Sequence, residues 1–278
     1  MHTKQIAQET VAALERGTYN SLNGASVNIS ALLQNCIQGT AFYKSEALTE
    51  IQDAVLATPK PGSVTTFEVA NETTLEGCAR LVASGQYERV GALNFASAKH
   101  PGGGFLGGAK AQEESLARSS GLYKSLLKYP AFYQAHRQEK SSLYSDRMIY
   151  SPACPILRND NGDWLEQPYV VDFITSPAPN TGAIHQSEGR NVSQIPTVLR
   201  ERSGKILALA AQHGCDSLVL GAWGCGVFRN DPQLVATIFW EHLGPDAPYF
   251  GRFRKVLFSV LDRPPMRGHF EAFERRFG

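Results

Sequence analysis

Two adjacent glutamates follow a glycine-rich segment in the first half of the chain. Five of the seven residues 102–108 are glycines, and Gln112, Glu113 and Glu114 come shortly after them. Glycines lack a Cβ, so the main chain can approach a ligand closely and turn its N–H groups towards phosphate oxygens. Paired carboxylates supply general acid–base catalysis or hold a hydroxyl group. The pattern therefore predicts a catalytic loop beside the start of a helix.

The same residues also fit an ordinary helix start behind a flexible surface loop. Acidic residues in a first turn complement the helix macrodipole, and Glu114 and Arg118 are spaced i, i+4 for a surface ion pair. Neighbouring residues diverge by roughly 100° around a helix, so we expect the carboxylates of Glu113 and Glu114 to point at different atoms. One would then do chemistry while the other holds a hydroxyl group or orients the loop.

A second glycine-rich segment, residues 221–228, reads Gly-Ala-Trp-Gly-Cys-Gly-Val-Phe and precedes a helix start at Asp231-Pro232. Backbone N–H groups near a helix N-terminus bind phosphate, so the segment predicts a diphosphate cradle. It is neither a Walker A loop nor a G-x-G-x-x-G fingerprint. No histidine is placed near Cys225 in sequence to activate it as a nucleophile. Phe228 fits either a wall under a ribose or base, or a core aromatic.

Strands and helices must position these two segments. Alternation and apolar runs predict strands over residues 64–69, 90–95, 169–174, 217–221 and 255–261. Helical spacing predicts helices after Thr73 or Thr74, over 195–209 with an end at Gly214, and over 234–243. Alternating strands and helices favour an α/β sandwich or doubly wound sheet, in which ligands bind beyond the carboxyl ends of the strands. Both glycine-rich segments leave a strand end, so both can border one cleft.

The chain has 278 residues, of which 42% are hydrophobic, and this is enough for a substantial core. The formal net charge of +1 excludes whole-chain electrostatic binding to DNA or an anionic membrane. The first 57 residues have helical spacing without strand-like runs, and Thr58-Pro-Lys-Pro-Gly62 interrupts the pattern. We therefore expect a helical N-terminal extension over residues 1–60 and a catalytic domain over 61–278.

Cysteine usage and hydropathy indicate a cytoplasmic protein. The five cysteines include no C-x-x-C pair, and no Cys/His set has zinc spacing. No signal peptide is evident, and no apolar run approaches the roughly 20 residues that span a bilayer. No Asp-rich site demands a metal. We expect no metal, no cofactor, no membrane contact and no direct DNA binding.

The two segments together resemble a known family. Gly102-Gly103-Gly104, seven residues and Gln112-Glu113-Glu114 resemble the catalytic signature of poly(ADP-ribose) glycohydrolases. Residues 221–228 resemble the diphosphate loop of macrodomains, which is the fold that this family uses. Residues 69–73 and 94–96 resemble the bacterial branch, and Ser97 stands where the larger animal enzymes carry an asparagine. The compact length is also similar to the bacterial type.

This resemblance implies a three-layer α/β/α sandwich with a mixed central sheet, preceded by the helical extension. It implies hydrolysis of ribose–ribose O-glycosidic bonds in poly(ADP-ribose), a reaction that reverses ADP-ribosylation and belongs to the DNA damage response. Glu114 would protonate the departing ribose oxygen and then deprotonate water, while Glu113 would align the ribose. The folded diphosphate of the substrate would raise the pKa of Glu114. The expected partners are poly(ADP-ribose), ADP-ribose and poly(ADP-ribosyl)ated proteins.

Asn94 is a candidate for a hydrogen bond to the distal ribose, although an ordinary asparagine at a strand end fits equally well. Adenine is expected near Val69 and Asn71. The full set of expected substrate-binding residues is Asn94, Gly102, Gly103, Gly104, Phe105, Gln112, Gly224, Cys225, Gly226, Val227 and Phe228.

Two other functions stay open at this point. A macrodomain that binds ADP-ribose without cleaving it needs the second segment but not Gln112-Glu113-Glu114. A hydrolase of terminal or free ADP-ribose derivatives would share the whole cleft. A nucleotide-dependent phosphotransferase is disfavoured, because no lysine follows either segment in P-loop position.

Overall fold

A computed structural model describes residues 3–263 and 268–278. Their α-helices are α1 (Thr3–Arg16), α2 (Ser30–Gly39), α3 (Ser45–Ala57), α4 (Thr74–Ala83), α5 (Gln112–Ser119), α6 (Leu122–Leu126), α7 (Pro130–Gln138), α8 (Thr181–Ser187), α9 (Ile195–Gln212), α10 (Pro232–Leu243) and α11 (Gly268–Phe277). Their strands are β1 (Thr18–Asn20), β2 (Ser26–Asn28), β3 (Ala41–Tyr43), β4 (Thr66–Ala70), β5 (Val90–Phe95), β6 (Met148–Arg158), β7 (Trp164–Ser176), β8 (Ser217–Leu220) and β9 (Lys255–Ser259).

Seven of these strands form one mixed sheet in the order β3-β6-β7-β5-β8-β9-β4, and β1 and β2 form a separate hairpin. Neighbours from β7 to β4 are parallel, whereas β6 is antiparallel to both β3 and β7. The carboxyl ends of five strands therefore meet at one edge of the sheet, where an α/β protein binds its ligands.

Helices cover both faces of the sheet. Leu207 of α9 and Phe239 of α10 belong to the core on one face, and Leu116 of α5 and Phe132 of α7 belong to the core on the other face. All four side chains are fully buried. The fold is the expected three-layer α/β/α sandwich with a mixed central sheet.

The five predicted strands and the three predicted helices are all present. Thr73 caps α4 in a capping box with Glu76, which is the helix start that the sequence indicated. The predicted helix over 195–209 extends to Gln212, and Gly214 follows it with a φ of +74°. Strand β6 was missed, because Pro152 and a bulge between residues 151 and 154 interrupt its alternation.

The expectation that the first 57 residues lack strands is wrong. They contain the short strands β1, β2 and β3, and β3 pairs with β6 at the edge of the main sheet. Three residues are too few to show an alternating pattern, so the sequence did not reveal them. Leu48 and Val55 of α3 also belong to the main core. The division at residue 60 stays a prediction.

Candidate active site

Gln112 fastens the start of α5 to the carboxyl end of β5. Its side-chain Oε1 accepts a hydrogen bond from Phe95 N at 2.9 Å, and its Nε2 donates to Leu93 O at 2.8 Å and to Thr74 Oγ1 at 3.1 Å. Every polar atom of the amide is thus engaged within the protein. The glutamates that follow are therefore fixed relative to the sheet, while a direct contact of Gln112 with substrate stays a prediction.

Glu113 lies buried behind this helix start, with 2% of its surface exposed. Its Oε1 accepts from Asn94 Nδ2 at 3.2 Å, and its Oε2 accepts from Ser97 N at 2.6 Å. The pKa of Glu113 is raised to about 8, mainly by burial and to a smaller extent by the charge of Glu114, while the hydrogen bonds from Ser97 and Asn94 oppose this shift. Asn94 also donates to Thr175 Oγ1 at 3.2 Å, and it is itself fully buried.

Glu114 is partly exposed and is held by the glycine triplet. Its Oε1 accepts from Gly104 N at 2.9 Å, and its Oε2 has no hydrogen-bond partner in the described part of the chain. Gly103 has a φ of +59°, and a Cβ there would lie 2.2 Å from Glu114 Oε1 and 3.3 Å from Glu113 Oε2. Both carboxylates thus approach Gly103, but they accept hydrogen bonds from different groups, as the helical spacing led us to expect. The loop folds over the helix start and meets both side chains.

The outer part of this loop rests on α1. Phe105 is 1% exposed and packs with Ala7 of α1 and Ala117 of α5. Thr3 Oγ1 donates to Gly108 O at 2.9 Å. The ring of Phe105 therefore faces the protein interior. Because almost none of its surface is exposed, the ring is not available for the predicted contact with ribose. Its observed contacts stabilise the loop from below.

Arg118 fixes the return of the loop into α5. Its guanidinium Nη1 donates to Ala109 O, and its own carbonyl accepts from Thr10 Oγ1 at 2.7 Å. Burial lowers the pKa of Arg118. The expected surface ion pair with Glu114 is wrong, because Arg118 is 8% exposed and turns inward to the loop.

The segment after β8 forms an open cradle of backbone donors. The N–H groups of Gly226, Val227 and Phe228 make no hydrogen bond to any described residue, and Val227 is 76% exposed. Successive free N–H groups of this kind bind anions such as phosphate. Cys225 is 5% exposed, and burial raises the pKa of its thiol. Its surroundings therefore disfavour a thiolate nucleophile.

A buried asparagine, which the sequence did not single out, holds this cradle in place. Asn230 Nδ2 donates to Pro179 O at 2.9 Å and to Gly224 O at 3.0 Å, and its Oδ1 accepts from Thr181 Oγ1 at 2.7 Å. Gly224 has a φ of +73°, and a Cβ there would lie 2.4 Å from the Ala178 side chain. Asn230 thus ties the cradle to the segment that follows β7.

The expected adenine position lies at the ends of β4 and β9. Asn71 Nδ2 donates to Asp262 O, and Asn71 Oδ1 accepts from Asp262 N, both at 2.9 Å. Adenine binding there stays a prediction. The described ranges contain no group of three or more His, Cys, Asp or Glu side chains placed to hold a metal ion. Among the described helices, none combines the length and apolar character needed to cross a bilayer.

The fold is a mixed α/β/α sandwich with an anion cradle after β8, which is typical of a macrodomain-like protein. The carboxylate pair after β5 adds the acidic groups of a glycosidase. A family model described as the microbial-type PARG catalytic domain matches residues 7–159. The chain belongs to the microbial-type poly(ADP-ribose) glycohydrolase (PARG) family. A comparison with curated protein sequences finds no match.

Solved structures agree with this assignment over nearly the whole chain. The chain is 49% identical to the poly(ADP-ribose) glycohydrolase from Thermomonospora curvata, with 99% of each chain covered and a TM-score of 0.94. That enzyme bound to the inhibitor ADP-HPD gives 48% identity, the same coverage and a TM-score of 0.92. The Deinococcus radiodurans enzyme in complex with ADP-ribose is 46% identical, with 88% of this chain and 96% of that chain covered and a TM-score of 0.83.

Proposed function

We propose that this chain is a poly(ADP-ribose) glycohydrolase that cleaves ribose–ribose O-glycosidic bonds and releases ADP-ribose. The observation that carries the proposal is the position of Glu114, whose free Oε2 lies at the carboxyl edge of the sheet that also bears the anion cradle. Structures of similar enzymes contain ADP-ribose or ADP-HPD. A molecule with a diphosphate and a distal ribose has matching partners in the cradle and the acid pair.

Glu114 acts as the general acid and then as the general base. The hydrogen bond from Gly104 N occupies Oε1 and leaves Oε2 to carry the proton. That proton moves to the departing ribose oxygen as the bond to the anomeric carbon breaks. Water then adds its hydroxyl to this carbon and returns a proton to Glu114, so the enzyme is restored. General acid–base catalysis of this kind contributes about 10²–10⁴-fold to the rate.

Glu113 aligns the distal ribose and does not transfer the proton. Its two oxygens already accept from Asn94 and Ser97, so its carboxyl group is fixed. The remaining lone pairs of those oxygens can accept from ribose hydroxyls that enter beside Gly103. This arrangement holds the anomeric carbon next to Glu114 and so lowers the entropic part of the barrier.

The cradle of Gly226, Val227 and Phe228 binds the substrate diphosphate. Its three N–H groups make no hydrogen bond to any described residue, so a bound diphosphate need not displace a bond within the loop. The bound diphosphate brings negative charge towards the anomeric centre and stabilises its positive charge in the transition state.

The test is release of ADP-ribose from purified poly(ADP-ribose) by the wild type and by Glu114→Gln. The amide keeps the shape of the side chain and its bond from Gly104, but it has no titratable proton. We expect the rate to fall by about 10²–10⁴-fold, while calorimetry shows ADP-ribose binding close to that of the wild type. Glu50→Gln, an exposed substitution on α3, is the matched control and should retain full activity.

Two results would redirect the proposal. If the wild type binds ADP-ribose but releases none from the polymer, the chain is a macrodomain reader. If it cleaves only terminal or free ADP-ribose derivatives, product analysis will show intact polymer beside those products. Equal rates for Glu114→Gln and the wild type would remove Glu114 from the role of acid.

The proposal extends to partners and location. Poly(ADP-ribosyl)ated proteins are the expected carriers of the polymer, since cleavage of the polymer reverses their modification in the DNA damage response. The five cysteines are free and buried thiols, which fits the reducing conditions of a cytoplasm. Incubation with a poly(ADP-ribosyl)ated protein, followed by detection of the remaining polymer, tests the first point.

A further inference from the structure

The order of the strands gives the cleft a direction. The expected adenine position lies at β4 and β9, the diphosphate cradle follows β8, and the acid pair follows β5. An ADP-ribose unit placed this way runs across the sheet from its β4 edge towards β5. A polymer continues beyond its distal ribose, so the part of the chain that leaves after cleavage must pass over β7 and β6.

Exposed cations lie in the loop after β5, in the segment before β6 and in the segment after β7. We define the basic rim as Lys99, Lys140 and Arg190. All three are exposed, and none forms an ion pair or a side-chain hydrogen bond with any residue in ranges 3–263 and 268–278. Three unpaired cations on one side of a cleft attract a polyanion.

Hydrogen bonds join the segments that carry these cations. Ser141, next to Lys140, donates through Oγ to Glu188 Oε2 at 2.7 Å, and Asn191 Nδ2 donates to Ser141 Oγ at 3.0 Å. Arg190 lies between Glu188 and Asn191 in sequence, so the two segments meet beside Lys140 and Arg190.

The same segments reach both catalytic loops. Arg137 of α7 donates through Nη1 to Lys99 O at 2.6 Å, which connects the end of α7 to the loop after β5. Gly182 N of α8 donates to Phe228 O at 3.1 Å, which connects α8 to the cradle. The basic rim is therefore continuous with the cleft and is not a separate surface.

The carboxylates nearby are already paired or hydrogen-bonded. Glu139 pairs with Arg147 at 3.0 Å, and both oxygens of Glu188 accept from Ser141 or Ser142. Asp146 pairs with Arg202 and Lys205 behind the rim. The acidic side chains at the β4 end of the sheet are ion-paired as well, because Arg80 pairs with Glu68 and Glu72 and Lys255 pairs with Glu68. The three cations of the basic rim, by contrast, have no described ion-pair partner.

We propose that the basic rim binds diphosphate groups of the poly(ADP-ribose) chain on the leaving side of the scissile bond. Each unit of the departing chain carries a diphosphate that Lys99, Lys140 and Arg190 can meet, whereas the expected path of a single ADP-ribose ends at the acid pair after β5. The rim thus contributes to the affinity for polymer and not to the chemical step. This inference rests on the proposed glycohydrolase function.

The test compares two substrates and two charge-reversal variants. The substrates are long poly(ADP-ribose) and an ADP-ribose that carries a nitrophenyl group on the distal anomeric carbon, which has no phosphate on the leaving side. The rim variant is Lys140→Glu with Arg190→Glu. Neither side chain forms a hydrogen bond or an ion pair with a described residue, so we expect the variant to fold. The control variant is Arg16→Glu with Lys60→Glu, which changes the net charge equally. Arg16 lies at the end of α1, before β1, and Lys60 lies between α3 and the amino end of β4. Neither belongs to the segments that carry the acid pair or the cradle.

We expect the rim variant to raise KM for the polymer about tenfold, with kcat unchanged and a weaker dependence of KM on salt. Its KM for the nitrophenyl substrate should equal that of the wild type, and the control variant should match the wild type on both substrates. An unchanged polymer KM in the rim variant would overturn the inference, and so would an equal rise in the control variant. Failure of the wild type on both substrates would instead refute the glycohydrolase function itself.

Discussion

Glu113 and Glu114 are adjacent in sequence, but their surroundings give them different chemistry. Glu113 is enclosed by the protein and accepts from Asn94 and Ser97, whereas Glu114 keeps one oxygen free at the cleft. When two carboxylates in one site have different environments, one can act as the acid while the other binds or orients the substrate. Burial raises the pKa of Glu113, so ionisation of this carboxyl group in the folded protein lowers the free energy of unfolding.

That cost predicts a pH dependence of stability. The pKa of Glu113 is raised from 4.5 to about 8, so its folded form favours the protonated state. The contribution of Glu113 to the free energy of unfolding is fully present below its pKa in the unfolded chain. This contribution is lost as the pH rises through its pKa in the folded protein. Glu113→Gln removes this titration. Urea unfolding at about pH 5 and pH 8 should show that the wild type loses at least about 1.4 kcal/mol relative to the variant.

The neighbouring amide makes this substitution tolerable. Asn94 Oδ1 is buried without a hydrogen-bond partner among the described residues. A turned Asn94 amide can accept from the new NH₂ group of the variant at position 113. A parallel pH dependence in the wild type and Glu113→Gln would show that Glu113 is ionised at no net cost in the folded state. Glu46→Gln on the exposed surface of α3 serves as the control.

Gly103 offers a second prediction at this scale. Gly103→Ala places a methyl group 2.2 Å from Glu114 Oε1 at a φ of +59°, so the loop and the carboxylate must move apart. A misplaced acid lowers the rate even when the ligand still binds. We expect at least about a 100-fold lower kcat on poly(ADP-ribose), with ADP-ribose affinity in calorimetry changed much less.

Gly107→Ala in the same loop is the matched control. A Cβ at Gly107 meets nothing within 4 Å, and Gly107 does not have a positive φ. It should therefore keep close to full activity. Equal losses in the two variants would mean that loop flexibility, and not the contact with Glu114, controls the rate.

At the scale of elements, the diphosphate cradle depends on the clamp that Asn230 makes to the segment after β7. Asn230→Ala removes two bonds to carbonyl groups and one from Thr181, all in a buried position. The cradle is then less ordered before it binds, so ordering it on binding costs more free energy and the affinity falls. We expect about tenfold weaker ADP-ribose binding and a raised KM, with a smaller change in kcat.

Asn161→Ala, an exposed substitution at the turn between β6 and β7, is the control for this clamp. It should bind ADP-ribose as the wild type does. If Asn230→Ala binds equally well, the cradle is held by its other contacts, and the predicted role of the clamp is wrong.

The elements that the sequence predicted are those with a long regular pattern. Strand β5 and helix α9 carry apolar residues at the spacing of their own structure, so their ends were also close to those observed. Strand β6 contains two prolines and a bulge, and β3 has three residues, so neither has a readable period. Their pairing depends on contacts far apart in sequence, which a local pattern does not contain.

The site divides in the same way. The glycines and glutamates of the two loops were predicted, because their types and spacing are themselves the signal. Ser97 contributes a backbone N–H, and Asn230 contributes a buried amide, and neither has a spacing that distinguishes it from an ordinary polar residue. The inward position of Phe105 depends on α1, which lies about a hundred residues earlier in the chain.

At the scale of the whole molecule, the first 60 residues are joined to the sheet by side chains of several kinds. Leu33 of α2 packs with Leu157 of β6, and Arg158 pairs with Glu9 of α1 at 3.0 Å. Strand β3 adds backbone hydrogen bonds to β6. Contacts this extensive favour one cooperative unit, whatever the boundary in sequence.

This coupling predicts how the molecule unfolds. Leu33 is 7% exposed, and Leu33→Ala leaves a cavity between α2 and β6 that costs about 2–5 kcal/mol. If the N-terminal segment and the catalytic part form one unit, loss of helix signal and loss of glycohydrolase activity share one urea midpoint in the wild type. Both then shift together to lower urea in Leu33→Ala. A variant that loses helix signal early but keeps its activity midpoint would show that residues 1–60 unfold on their own. Leu22→Ala, at a side chain that is 70% exposed, should move neither midpoint.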